Sequence, residues 1–65
     1  MIQDTLKDDL YSLLMMRPRT EEALIRIFAH READEVKIAL GELAVQEKIE
    51  LVVINQTEFY QPKGE

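Results

Sequence analysis

Cysteine is absent from the 65 residues of this chain, which also has only one histidine, two glycines and two prolines. Because there is no thiol, neither disulfides nor thiolate metal ligands can hold the chain, so stability must come from packing or self-association. His30 belongs to no metal-binding spacing, and the sequence has no glycine-rich phosphate loop and no nucleophile elbow. We therefore expect a protein that is not an enzyme and that binds no metal, cofactor or small-molecule substrate.

Basic residues are also few. Eight Lys and Arg stand against thirteen Asp and Glu, which gives a net charge of −5 and an isoelectric point near 4.8. This balance disfavours unspecific attraction to nucleic-acid phosphates and to anionic lipid. No apolar run approaches the roughly 20 residues of a membrane span, and acids stand where a signal peptide would be positive. The expectation is a soluble cytoplasmic protein with no membrane partner. Residues 1–65 should form one domain, since so short a chain cannot fill two cores.

Apolar residues recur at helical spacing in the first part of the chain. Thr5 followed by Asp8 predicts a capping box at the start of helix one, and Pro18 predicts its end near Arg17, before a short extended piece. The inward stripe of this helix comprises Leu6, Leu10, Leu13 and Leu14.

Two further helices follow, joined by a tight turn. Thr20 predicts an N-terminal cap for helix two, whose apolar face is Leu24, Ile25 and Phe28. Helix three is predicted from about Ala33 to Glu47. Its inward residues are predicted to be Val36, Ala39, Leu40 and Leu43.

After Lys48 the periodicity changes from helical to extended. The segment from Ile49 to Gln61 predicts a β-hairpin, with "NQTE" as its turn and Pro62 as its stop. Residues 1–4 and 62–65 are predicted to be frayed. The fold class is therefore mainly α with a small hairpin (α+β), in the order helix, short strand, helix, helix, hairpin.

The segment from Thr20 to Pro62 resembles the winged-helix class of helix-turn-helix domains. Its apolar spacing matches the two motif helices of that class, and the hairpin matches the wing. The resemblance implies a scaffold that serves both DNA-binding regulators and protein-binding modules. This chain departs from the pattern in two places: Lys48 stands where members often carry a glycine before the wing, and the wing has no basic residue.

The outward side of helix three is acidic where the family's recognition helix would meet DNA. Only Lys37 could donate to a base edge there, while Asp34 and Glu35 would be repelled by phosphates. Three residues of small or apolar type, Ile38, Gly41 and Val45, form a strip on the same side, to which Val52 or Ile54 of the hairpin could add. The sequence therefore predicts contact with another protein or a second copy of this chain, through Asp34, Glu35, Ile38, Gly41, Glu42 and Val45.

A second interpretation uses the basic residues that precede helix three. The segment from Arg17 to Arg31 is net positive while the following one is net negative. A small dimeric DNA-binding regulator would contact phosphates through this segment and Lys37. The alternative for these arginines is ordinary pairing with nearby acids, for example Arg26 with Glu22. The residues concerned are Arg17, Arg19, Arg26, Arg31 and Lys37.

Overall fold

In the computed structural model, which describes residues 5–64, three helices are followed by an antiparallel hairpin. This confirms the predicted small α+β class and the order of helices and hairpin. Residues 1–4, which were predicted to be frayed, lie outside the described range, as does residue 65. The elements are α1 (Leu6–Met16), α2 (Glu21–Ile27), α3 (Ala33–Val45), β1 (Ile49–Ile54) and β2 (Thr57–Pro62).

One apolar cluster joins all three helices to the base of the hairpin. The predicted inward stripes supply nine of its ten buried residues, and Ile49 at the start of β1 supplies the tenth. Leu13 and Ile25, also predicted to face inward, are half-buried and pack against its margin. The buried residues are Leu6, Leu10, Leu14, Leu24, Phe28, Val36, Ala39, Leu40, Leu43 and Ile49.

Of the two N-terminal caps predicted from the sequence, the one at Thr20 is present and the one at Thr5 is not. The hydroxyl of Thr20 accepts a hydrogen bond from the N–H of Ala23 at 3.1 Å, as expected for a cap on α2. The capping box predicted at Thr5 is wrong: φ −92° and ψ 5° take this residue out of the extended conformation, and its side chain makes no cap hydrogen bond. At the start of α3, the Glu35 carboxylate accepts from the N–H of Glu32 at 3.3 Å.

Helix α3 ends at Val45, two residues before the predicted end at Glu47. Glu47 has a left-handed backbone with φ 60°, which breaks the helix. Its N–H donates to the carbonyl of Ala44, and the N–H of Lys48 donates to that of Leu43, each at 3.0 Å, the bond pair of a Schellman motif. The sequence predicted that Lys48 occupies the position that favours glycine. In the structure, Glu47 occupies it.

The strands of the hairpin pair in register from Ile49 with Pro62 to Ile54 with Thr57. The hairpin extends one residue beyond its predicted end at Gln61. Pro62 belongs to β2, the N–H of Lys63 donates to the carbonyl of Lys48 at 3.0 Å, and Lys63 Nζ lies 2.9 Å from Glu47 Oε1. This hydrogen-bonded ion pair lowers the pKa of Glu47 and raises that of Lys63.

The predicted short extended piece before α2 is present as a single bridge. Arg19 and Tyr60 exchange backbone hydrogen bonds, with the N–H of Tyr60 donating at 2.7 Å and that of Arg19 at 3.1 Å. Strand β2 therefore has a backbone neighbour on both sides, Arg19 on one and β1 on the other. Among residues 5–64, this arrangement leaves β1 at the edge of the sheet.

The turn of the hairpin has two residues with a left-handed backbone, which a substitution can test. Asn55 and Gln56 both have positive φ, 51° and 65°, the geometry of a type I′ turn, in which Asn-Gly is favoured. We expect Gln56→Gly to raise the free energy of unfolding by roughly 0.5 to 1 kcal/mol, because glycine removes the steric cost of a left-handed backbone. Urea unfolding measures the change.

The matched control is Thr57→Gly, one residue further on in the paired strand. This change should destabilise the domain, because glycine weakens an extended strand and adds no needed freedom. Equal effects of the two substitutions would mean that the turn is not formed as described.

Candidate interaction surface

The outward side of α3 is open to solvent along its length. We call six exposed residues of this side the α3 outer face, and they are the six predicted from the sequence to contact a protein: Asp34, Glu35, Ile38, Gly41, Glu42 and Val45. The four residues predicted to point inward are all buried, so the rotation of the helix is as the sequence indicated. Ile38 is 63% exposed and Val45 is 84% exposed, which places two aliphatic side chains in water on one helix face.

A shallow groove of about 400 Å³ runs along the middle of this face. Its lining is Lys7, Ile38, Gly41, Glu42, Val45 and Gln46. A smaller depression of about 140 Å³ continues it toward Leu6 and Glu35. Both are bordered by Lys7 of α1, a residue that the sequence did not indicate, because only the packing of α1 against α3 brings it there.

Gly41 sits at the centre of the groove, in the interior of α3. Its φ is not positive. Among residues 5–64, and apart from its two chain neighbours, a β-carbon added there would meet no side chain and no atom outside the local helix backbone within 4 Å. A glycine in a helix interior is less stable than alanine by roughly 0.5 to 1 kcal/mol. Within the described residues, nothing in the packing of this chain offsets that cost.

Two ion pairs cross or flank the α3 outer face. Lys7 Nζ lies 3.4 Å from Glu42 Oε1, which links α1 to the groove. The Arg31 guanidinium contacts Glu35 Oε2 through Nη2 at 2.7 Å and Nε at 3.2 Å. Asp34 has no ion pair within residues 5–64. Each pair neutralises one acid on a solvent-exposed surface, where such pairs are weak and easily exchanged.

The residues proposed for nucleic-acid contact have varied surroundings. Arg26 pairs with Glu22 at 3.6 Å, the contact that the sequence suggested, and Arg31 pairs with Glu35. Arg19 is half-buried, and its Nε is buried with no hydrogen-bond partner in the described part of the chain. Arg17 and Lys37 are exposed, and neither has an ion pair within residues 5–64.

The hairpin exposes more apolar surface than the sequence indicated. Val52 is half-buried and Ile54 is exposed, while Leu51 and Val53 are exposed as well. Leu51 and Val53 alternate onto the same side of the strand as the buried Ile49. Exposure rises from Ile49 to Val53, so the hairpin extends beyond the core toward its turn.

Over residues 5–64, no helix has the length and hydropathy needed to cross a membrane. In that same range, no three or more side chains of His, Asp or Glu are gathered as metal ligands would be. The sequence matches no protein-family model, no curated protein matches it, and no solved structure matches the fold at a significant level.

Proposed function

We propose that this chain is a winged-helix module without catalytic activity, which binds another protein through the α3 outer face. In this proposal it acts as an adaptor or modulator in a transcription, replication or related assembly. The order of elements supports the winged-helix assignment, as does the small sheet in which Arg19 flanks β2 and β1 is the outer strand. The hairpin that follows α3 is then the wing.

Gly41 is the observation that carries the protein-binding proposal. It lowers the stability of α3 without relieving any steric contact in the described part of the chain, and it lies between the exposed Ile38 and Val45. A partner that approaches the helix backbone closely would account for a residue without a side chain at this point. The flanking aliphatic side chains would then be covered on binding, as anchors at the centre of an interface usually are.

The charge of the α3 outer face sets the chemistry of the partner. Asp34, Glu35 and Glu42 border the apolar strip. The pairs that Glu35 and Glu42 make with Arg31 and Lys7 are exposed and weak, so positive residues of a partner can replace them. Asp34 has no ion pair within residues 5–64, and Lys37 is the one base on the outward side of α3 itself. Positive residues flanking an apolar anchor are complementary to this surface, whereas a phosphate backbone is repelled. The partner is therefore a basic, amphipathic segment of another protein.

Selection of short displayed peptides on the whole chain tests this proposal. The recovered peptides should combine Lys or Arg with apolar residues. We expect Ile38→Asp to keep the helical circular dichroism of the wild type and to weaken binding of these peptides at least about thirtyfold, because a charge is placed in the apolar strip. The matched control is Ile27→Asp on α2, which is also exposed and should leave binding unchanged.

Binding to duplex DNA at low salt separates this proposal from the regulator interpretation. A protein that reads phosphates through Arg17, Arg26 and Lys37 would bind, and its affinity would fall steeply as salt rises. We expect no such binding. Peptides that bind Ile38→Asp as well as the wild type would also contradict the proposal, and loss of helical signal in that variant would place Ile38 in the core.

A further inference from the structure

The outer edge of strand β1 has no backbone neighbour within the described residues. Within residues 5–64, strand β2 pairs with β1 along one edge and with Arg19 along the other, while β1 pairs only with β2. An unpaired strand edge presents N–H and C=O groups that can extend the sheet with another chain.

The register shows which backbone groups point to this edge. In an antiparallel pair, alternate residues direct their N–H and C=O groups toward the neighbouring strand and away from it. Tyr60 directs both of its groups to Arg19, so its opposite residue Leu51 must direct its own groups away from β2. The same alternation turns the groups of Ile49 and Val53 outward.

Only part of this edge is accessible. Ile49 is 2% exposed and its backbone is closed to another chain, whereas Leu51 is 47% and Val53 is 64% exposed. The open edge therefore consists of residues 51–53, with four outward groups on Leu51 and Val53.

This edge lacks the features that usually prevent sheet extension. Strand β1 contains no lysine and no proline, and it pairs with β2 in continuous register without a bulge. Its one charged residue, Glu50, accepts a hydrogen bond from Gln61 Nε2 of β2 at 2.9 Å, which draws the carboxylate toward β2 and away from the edge.

We propose that the β1 edge binds the β1 edge of a second copy of this chain, in an antiparallel pair with its twofold axis at Val52. In this register, Leu51 of one protomer lies opposite Val53 of its partner, and the reverse pair completes four backbone hydrogen bonds. The two copies of Val52 form the close, non-hydrogen-bonded pair between them. The result is a sheet continuous across both protomers.

Self-complementarity favours a second copy over any other occupant. Every side chain in the pairing segment 51–53 is aliphatic, so apolar residues meet apolar residues and no like charges lie opposite each other. Glu50 falls opposite the apolar Ile54 of the partner. Because the interface is isologous, one accessible segment supplies both halves of it.

This pairing uses no residue of the α3 outer face, so the two surfaces can act independently. A dimer formed through β1 would present two copies of α3 to a partner. If β1 does not pair, the binding proposed for α3 is unaffected. If α3 binds no peptide, the pairing proposed for β1 is likewise unaffected.

Sedimentation and amide hydrogen exchange of the full chain at increasing protein concentration test the pairing. We expect the mass to double with concentration. The amides of Leu51 and Val53 should become protected in step with the mass, whereas that of Val52, which donates within the hairpin, should be protected at every concentration.

Two variants provide the specific test. Val53→Pro removes an outward N–H from each protomer without removing a bond of the hairpin, and should weaken the dimer about tenfold or more. Val53→Lys places a charge on the edge while keeping the N–H, and should also weaken the dimer. This second variant tests the pairing even if Val53→Pro folds poorly. Ile38→Asp is the control and should dimerise like the wild type.

Any of the following results would overturn the proposal. The first is a monomer at all concentrations, and the second is a dimer in which the amides of Leu51 and Val53 still exchange rapidly. The third is a dimer that both Val53 variants leave intact or that Ile38→Asp abolishes. Protection of the edge only when an unrelated extended peptide is added would show that the occupant is not a second copy.

Discussion

Leu40→Ala is expected to lower the free energy of unfolding by roughly 2 to 5 kcal/mol, the range found when a buried leucine is truncated and leaves a cavity. Leu40 is fully buried in the cluster that joins all three helices to the hairpin. A domain of this size has a small margin of stability, so a large share of the variant should be unfolded at room temperature. Urea unfolding followed by circular dichroism measures the effect.

Ile38→Ala is the matched control for this experiment, because it truncates an exposed aliphatic side chain on the same helix. Its effect on unfolding should stay within about 0.5 kcal/mol, as is usual for surface positions. Similar losses for the two variants would mean that α3 is rotated from the orientation described, and that its outer face is not free to bind.

Two substitutions at Gly41 should separate the stability of the helix from the binding of a partner. Gly41→Ala should raise the free energy of unfolding by roughly 0.5 to 1 kcal/mol, because alanine favours the helix and its β-carbon has open space. Gly41→Leu should also keep the fold, yet its side chain would fill the groove between Ile38 and Val45. Binding of a basic peptide should then fall at least about thirtyfold.

Ala44→Gly, also an exposed position of α3, is the reverse control. It should destabilise the helix by about the amount that Gly41→Ala gains, and it should leave peptide binding intact, since Ala44 does not line the groove. A destabilised Gly41→Ala would show that the fold itself needs glycine at this position. Gly41 would then serve the fold of this chain and would not indicate close approach by a partner.

Much of the fold follows from periodicity in the sequence. The inward and outward residues of α3 were assigned correctly because its apolar positions recur at helical spacing. The extended piece at Arg19 was indicated by Pro18 before it. These features depend on local spacing and backbone preference, which a single sequence records.

The missed features depend on tertiary contacts or on a backbone choice that residue type does not reveal. Glu47 adopts a left-handed backbone although it is not glycine, and Thr5 fails to cap because its backbone is not extended. Lys7 reaches the groove only through the packing of α1 on α3. The exposure of Val53 depends on how far the hairpin extends past the core, which alternation alone does not indicate.

The central claim is that the α3 outer face meets a protein and not DNA, and an NMR titration of the ¹⁵N-labelled chain tests it most directly. With a basic peptide from the displayed selection, the amide signals of Ile38, Gly41 and Val45 should shift together and saturate, while those of Arg17 and Arg26 should stay in place. Saturating shifts confined to the segment from Arg17 to Arg31, with the signals of α3 unmoved, would contradict the account.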